Sequence, residues 1–99
     1  MKRTVLVVDD EQNIRSLVTM LLQDAGFNVL TAANAEGGSE HLKNPNVDVV
    51  LTDLRLPGMS GEEFIGRCRQ ERPEVPVIVI TAHGTIQSAV DCLRQGAGN

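Results

Sequence analysis

The sequence predicts an α/β fold in which a parallel sheet is covered on both faces by helices. Short, nearly continuous apolar runs alternate along the 99 residues with segments whose apolar residues recur at helical spacing. Strands that are buried on both faces have such continuous apolar runs, whereas a sheet with one solvated face would show alternation. Right-handed crossovers between parallel strands place helices on both sides of the sheet. A chain of this length forms one domain.

Four apolar runs are the predicted strands, and they comprise residues 5–8, 27–31, 47–52 and 76–80. Three of them lead directly into polar side chains. The first is followed by Asp9 and Asp10, the third by Asp53, and the fourth by Thr81. In open parallel sheets, ligands bind beyond the carboxyl ends of the strands. These four side chains are therefore the candidates for a functional site.

The segments that follow the strands are the predicted helices. In the first helix, five apolar residues share one face: Ile14, Leu17, Val18, Leu21 and Leu22. Asp10 is a candidate N-cap for this helix, and Gly26 ends it. A second helix is predicted over 35–43. The third covers 61–72, with inward-facing residues Phe64, Ile65 and Cys68. A fourth contains Ile86, Ala89, Val90 and Leu93 and stops near Gly96.

Composition excludes several classes of protein. The net charge of -4 and the pI near 5.0 argue against a nucleic-acid-binding surface on this segment. Cys68 and Cys92 fit no metal-binding spacing, and we interpret them as reduced intracellular thiols. The basic residues at 2–3 precede an apolar run that is too short for a signal peptide, and no stretch reaches membrane-spanning length. We expect a cytoplasmic location.

The acidic residues at the strand ends predict a cation site. Asp9, Asp10 and Asp53 would converge on one edge of the sheet, where crowded carboxylates repel each other unless a cation joins them. Oxygen ligands of this kind suit Mg²⁺. A bound cation could neutralise the oxygens of a phosphoryl group, and an aspartate can act as the nucleophile that forms an acyl phosphate. Thr81 could donate a hydrogen bond to such a group.

Simpler interpretations exist for each of these residues. Asp10 alone would more often be a helix cap, and Asp53 alone a polar residue that ends a strand. Thr81 is β-branched and suits a strand for packing reasons. Arg55 and His83 would be solvated residues in loops. Considered together with Asp53 at a neighbouring strand end, the acidic pair favours the cation site over these alternatives.

Three stretches resemble the signature motifs of response-regulator receiver domains: VVDDE at 7–11, DVVLTDLRLPGM at 48–59 and PVIVITAHG at 76–84. Residues 88–97 also resemble the fourth helix of receivers in the nitrogen-regulatory class. The resemblance covers nearly the whole chain. It implies a flavodoxin-like, doubly wound sheet that has strand order 2-1-3-4 and contains four of the usual five strand–helix units.

The resemblance also implies roles for individual residues. Asp53 would accept a phosphoryl group from a phosphohistidine of a sensor histidine kinase. Asp10 and Asp53 would bind Mg²⁺ through their side chains, Arg55 through its backbone carbonyl, and Asp9 through water. Thr81 would bond the phosphoryl group and shift the loop that follows the fourth strand. Small Ala82 would leave room at the phosphoryl group.

Arg55 and His83 lie at positions that modulate the access of attacking water in this family. The family catalyses its own phosphorylation and dephosphorylation. By the resemblance, the chain is therefore a signalling domain and not an enzyme that acts on an external substrate. A phosphatase of the haloacid dehalogenase type also uses an aspartate nucleophile, but it needs a second aspartate two residues later, where this chain has Arg55.

The sequence departs from the family after Ala97. Receivers continue into a fifth strand and helix, which carry a switch aromatic and a lysine followed by proline. We therefore expect residues 1–99 to form one receiver domain without its C-terminal strand and helix. Loss of the lysine is expected to weaken phosphorylation, because one charge that stabilises the transferred group is missing. We also expect that the threonine-to-aromatic switch does not operate in this chain. The alternative is a phosphotransfer-impaired fragment that binds partners or self-associates.

The fourth strand is expected to be a sheet edge. Residues 77–80 are Val-Ile-Val-Ile, and an exposed apolar edge of this kind pairs readily with another chain. We therefore expect homo-oligomers, formed through this strand or through the fourth helix. Size-exclusion chromatography across a dilution series checks this. A compact monomer at all concentrations would contradict it.

Overall fold

The computed structural model describes residues 2–54, 56 and 58–80, in which strands and helices alternate. The elements are β1 (Thr4–Val8), α1 (Gln12–Asp24), β2 (Asn28–Ala32), α2 (Ala35–Leu42), β3 (Val47–Thr52), α3 (Gly61–Glu71) and β4 (Val77–Val79). The strand bounds agree with the predicted ones to within one residue at each end. The predicted fourth helix, with Cys92, lies outside the described residues.

The four strands form one parallel sheet in the order β2-β1-β3-β4. This confirms the predicted doubly wound topology. The chain passes from β1 outward to β2 and then returns to place β3 on the other side of β1. The strand order therefore reverses between β1 and β3. A crevice forms at such a point beyond the carboxyl ends of the strands, which is where open α/β sheets bind ligands.

Both faces of the sheet are buried. Successive residues of a strand point to opposite faces. Val5, Val7, Val49 and Leu51 accordingly pack with Val18 and Leu22 of α1 on one face. Leu6, Val8 and Val50 pack with Leu42 of α2 and with Phe64 and Cys68 of α3 on the other. This two-sided burial is the reason that the strands have continuous apolar sequences.

The start of α1 differs from the prediction. The N-cap position is Glu11, and its side chain makes no capping hydrogen bond, so the expectation that Asp10 caps this helix is wrong. The carboxylate of Asp9 instead accepts a hydrogen bond from the backbone N–H of Glu11 at 2.9 Å. Asp9, rather than Asp10, therefore makes the side-chain hydrogen bond at the turn that leads into α1.

The apolar face of α1 is narrower than predicted. Leu17 is 41% exposed, whereas Val18 and Leu22 are fully buried. At about 100° per residue, Leu17 lies at one edge of the arc formed by the five apolar residues, so it only borders the core. The predicted end of the helix is confirmed, because Gly26 follows it with a φ of +96°, a conformation that favours glycine.

The start of α3 is fixed by its cap. The Ser60 side chain accepts a hydrogen bond from the backbone N–H of Glu63 at 3.2 Å. Phe64 and Cys68 are fully buried, as predicted, while Ile65 is only partly buried because it lies about 100° around the helix from Phe64.

Among the described residues, no helix has the length and apolar character needed to cross a membrane.

Two helical glycines are expected to respond to alanine in opposite ways. At Gly38, a Cβ would lie 2.9 Å from both Phe64 Cζ and Val8 Cγ2, whereas at exposed Gly66 it would meet no atom within 4 Å. Overpacking at Gly38→Ala should lower the free energy of unfolding by roughly 1–3 kcal/mol. Gly66→Ala should raise it by about 0.5–1 kcal/mol, because alanine is the better helix former.

Urea unfolding followed by far-UV circular dichroism measures both effects. A Gly38→Ala protein as stable as Gly66→Ala would show that α2 and α3 are not packed as closely as described.

Candidate metal centre

Three carboxylates converge at the carboxyl ends of β1 and β3. One side-chain oxygen from each of Asp9, Asp10 and Asp53 lies within 4.8 Å of the others. The register explains this arrangement, because Val8, which precedes Asp9, pairs with Thr52, which precedes Asp53. The predicted convergence of the three acidic residues is confirmed.

The three aspartates differ in exposure. Asp9 is 3% exposed, Asp53 is partly buried, and Asp10 is exposed. The acidic cluster is thus buried at Asp9 and accessible at Asp10 and Asp53. A solvated ion or an anionic group could approach Asp10 and Asp53 from solvent.

The backbone of Asp53 is held by β1 and by the side chain of Thr52, and Thr52 is in turn held by the residue that follows β4. The N–H of Asp53 donates to the carbonyl of Val8 at 3.1 Å, which extends the β1–β3 ladder by one residue. Its carbonyl accepts a hydrogen bond from Thr52 Oγ1 at 3.1 Å. The carbonyl of Thr52, the preceding residue, accepts a hydrogen bond from the N–H of Ile80 at 2.8 Å. These bonds fix the backbone of Asp53 at the carboxyl end of the central strand β3.

The backbone of Asp9 is held by hydrogen bonds to β2 and α1. Its N–H donates to the carbonyl of Ala32 at 3.1 Å, and its carbonyl accepts from Arg15 Nη1 at 2.6 Å. Sequence reasoning missed Arg15. No motif could have revealed it, because its partner is a backbone oxygen that only the fold brings within reach.

Burial is the main reason that the pKa of Asp9 is raised above its ordinary value of 3.8. The hydrogen bond from the Glu11 N–H opposes this effect by stabilising the charged form, while the negative charges of Asp53, Asp10 and Glu11 add to it. Ionisation of Asp9 therefore costs more free energy in the metal-free protein than in water.

The donor set fits a small, hard cation. Mg²⁺ prefers oxygen ligands, is usually held by one or two carboxylates and keeps several waters. An exposed Asp10 and a partly buried Asp53 leave room for such waters, and a positive charge would relieve the repulsion at Asp9.

Four other residues named from the sequence lie outside the described part of the chain. They are Arg55, Thr81, Ala82 and His83. The carbonyl ligand at Arg55 and the contacts of Thr81 and Ala82 therefore stay predictions.

A second residue that sequence reasoning misses is Gly61, which the sequence predicts only as the first residue of α3. Its backbone N–H donates to the carbonyl of Leu54 at 3.0 Å, so it contacts the residue that follows Asp53. The signal in the sequence was a glycine at a helical position where a better helix former would be expected.

Comparison with known proteins points to one family. The family model described as "Response regulator receiver domain" matches residues 5–99. The nitrogen assimilation regulatory protein NtrX of Azorhizobium caulinodans is 35% identical over 99 residues, which cover 98% of this chain and 22% of that protein. The DNA-binding transcriptional regulator NtrC of Escherichia coli K12 is 39% identical over 93 residues, which cover 94% of this chain and 20% of that protein. The chain thus spans about a fifth of the length of these curated relatives.

Similar solved structures are also response regulators or their receiver domains. The response regulator receiver protein from Pseudomonas putida superposes with a TM-score of 0.78 at 30% identity, covering 97% of this chain and 81% of that one. The response regulator TrrA from Thermotoga maritima, solved in complex with Mg²⁺ and BeF, has a TM-score of 0.77 at 35% identity, covering 93% and 80%.

Removing the charge of Asp9 should stabilise the metal-free protein. Two unit charges about 4 Å apart interact by about 1 kcal/mol even in bulk water, so Asp9→Asn should raise the free energy of unfolding in EDTA by about that amount. Since the pKa of Asp9 is raised by folding, the wild type should lose stability as the pH rises from 3.8 towards neutrality, and this loss should be smaller in the variant.

Urea unfolding with EDTA and with excess Mg²⁺ tests this prediction. Mg²⁺ should stabilise the wild type by mass action and stabilise Asp9→Asn less. Asp24→Asn, which removes an exposed charge at the end of α1, should keep the full Mg²⁺ effect. An Asp9→Asn protein that is less stable than wild type in EDTA would contradict the proposed repulsion.

Proposed function

The chain belongs to the family of response regulator receiver domains, and on that basis we propose that it accepts a phosphoryl group on Asp53 from a phosphohistidine of a sensor histidine kinase. The observation that supports this most directly is the cluster of Asp9, Asp10 and Asp53 at the end of β1 and β3. In this proposal the chain is a signalling domain that promotes its own phosphorylation and dephosphorylation, and not an enzyme for an external substrate.

Asp53 is the best acceptor of the three carboxylates. Asp9 is almost fully buried and accepts the Glu11 N–H, which ties up one of its oxygens. Asp10 is exposed, so water and its own mobility would compete with a defined line of attack. Asp53 combines partial exposure with a backbone held on β1 and β3.

The proposed transfer is a single displacement at phosphorus. A carboxylate oxygen of Asp53 attacks the phosphorus atom, the bond between phosphorus and the histidine nitrogen breaks, and an acyl phosphate forms. The histidine nitrogen keeps the electron pair of the broken bond and takes up a proton. The backbone bonds to Asp53 hold its carboxylate in place for in-line attack, so the protein contributes positioning.

Asp9, Asp10 and Asp53 are the proposed holders of Mg²⁺, with the carbonyl of Arg55 as a further ligand. When bound, the ion would neutralise negative charge shared between the carboxylates and the phosphoryl oxygens. We propose Thr81 as a hydrogen-bond donor to a phosphoryl oxygen and Ala82 as its small neighbour. Chain order supports this, because Thr81 directly follows Ile80, whose N–H bonds the carbonyl of Thr52.

The similarity to NtrX and NtrC suggests a wider role. We propose that phosphorylation of this domain controls transcription in a two-component system in the cytoplasm. The net charge of -4 supports the further proposal that this segment itself contacts no nucleic acid. Pairing through β4 stays a proposal for self-association. In the described residues, β4 pairs with β3 alone.

Phosphorylation can be measured as the intact mass after incubation with acetyl phosphate and Mg²⁺. The wild type should gain one phosphoryl group, which hydroxylamine removes because it cleaves acyl phosphates. Asp53→Asn, which keeps the shape of the side chain but is a far weaker nucleophile, should gain none. Asp24→Asn controls for the loss of a negative charge and should behave like the wild type.

A wild-type protein that is folded and binds Mg²⁺ but gains no phosphoryl group would overturn the acceptor proposal. The domain would then be a binding module that keeps the acidic pocket without phosphotransfer.

A further inference from the structure

The first residue of α3 lies against the backbone that follows Asp53. A Cβ on Gly61 would lie 2.4 Å from Leu54 Cα, 2.7 Å from the carbonyl carbon of Leu54 and 2.7 Å from the carbonyl oxygen of Asp53. Comfortable contacts between carbon atoms are about 3.5–4.0 Å. All three atoms belong to the main chain, so no side-chain rotation could make room.

Gly61 is not required for its backbone conformation. It lies within α3, and the positive φ angles among the described residues occur at Gly26 and Gly58. Alanine at a helical position is favoured over glycine by about 1 kcal/mol. The reason for glycine at this position is therefore the space that it leaves for residues 53 and 54.

The helix itself has little freedom to move away. The Ser60 side chain caps it through the N–H of Glu63, and the carbonyl of Ser60 accepts the N–H of Phe64 at 3.1 Å. Phe64 is fully buried between α2 and the sheet. Gly61 also donates its own N–H to the carbonyl of Leu54 at 3.0 Å. A side chain at 61 would therefore push mainly on the strand end.

The carbonyl group that a Cβ at residue 61 would displace belongs to Asp53, the proposed acceptor. The Asp53 carbonyl that a Cβ would contact is the same oxygen that accepts the Thr52 hydroxyl at 3.1 Å. The Asp53 N–H is bonded to Val8, the residue before Asp9. Displacing this peptide would therefore rotate the Asp53 carboxylate relative to Asp9 and Asp10.

We propose that Gly61 is a positioning residue for the phosphoacceptor. Its missing side chain allows the first turn of α3 to pack against the peptide that joins Asp53 to Leu54. This packing holds the Asp53 carboxylate in register with the carboxylates of Asp9 and Asp10. The inference rests on the proposed function, because it assigns a role in the same metal-dependent acceptor site.

Three glycine-to-alanine variants separate positioning from general stability. Gly61→Ala places a methyl group against the acceptor backbone. Gly66→Ala adds the same group to the exposed side of the same helix, where a Cβ meets no atom within 4 Å. Gly38→Ala strains the packing of α2 on Phe64 and Val8 without contacting residues 53 and 54. It therefore controls for destabilisation that does not act on the peptide between Asp53 and Leu54.

Mg²⁺ affinity, measured by calorimetry on protein shown by circular dichroism to be folded, is the main readout. Gly61→Ala should weaken Mg²⁺ binding by roughly 10-fold or more, the usual size of the loss when a ligand's supporting contacts are removed. The rate of phosphorylation by acetyl phosphate should fall with it. Gly66→Ala and Gly38→Ala should keep the affinity of the wild type.

The outcomes distinguish this inference from the proposed function. Wild-type Mg²⁺ affinity in folded Gly61→Ala, or an equal loss in Gly38→Ala, would overturn the positioning role and leave Asp53 as the acceptor. Absence of Mg²⁺ binding and phosphorylation in the wild type would instead overturn the proposed function. If Gly61→Ala is unfolded, the double variant with Gly66→Ala is measured in trimethylamine N-oxide, which favours the folded state, and the same criteria apply.

Discussion

The parallel pairing of β1 with β3 is the contact on which the remaining structure depends. It joins the two strands at which the strand order reverses, and it brings the residues after Val8 and Thr52 to one edge of the sheet. The apolar faces of both strands are buried against helices on either side, so a shift in register would expose core residues. The same packing that stabilises the domain therefore determines the distance between Asp9 and Asp53.

This packing works against local electrostatics. Three carboxylates lie within 4.8 Å, and Asp9 is buried among them with a raised pKa. A protein selected for stability alone would have no reason to collect these charges. The conflict between a rigid apolar sheet and a repulsive acidic edge is typical of functional sites, where a local rule is broken and the surrounding structure supplies the compensating stability. The repulsion among the three carboxylates is also the physical argument for a bound cation.

The backbone of Asp53, the proposed acceptor, is supported from two directions. β1 holds the Asp53 N–H, while the first turn of α3 lies against the peptide that follows it. Neither support uses a charged side chain, so both act through main-chain geometry and close packing. Burial of Phe64 connects this end of α3 to the core below β3.

The sequence by itself determined the order of the elements, the two-sided burial of the strands and the identity of the three aspartates. These features depend on local patterns: continuous apolar runs, helical periodicity and polar residues at strand ends. The family motifs added the strand order. The tertiary structure alone decided that Asp10 does not cap α1, that Leu17 only borders the core, that Arg15 contacts the carbonyl of Asp9, and that Gly61 contacts the backbone that follows Asp53. The contacts of Arg15 and Gly61 are made to main-chain atoms of other elements, and main-chain atoms are the same at every position, so the pattern of side chains does not identify these partners.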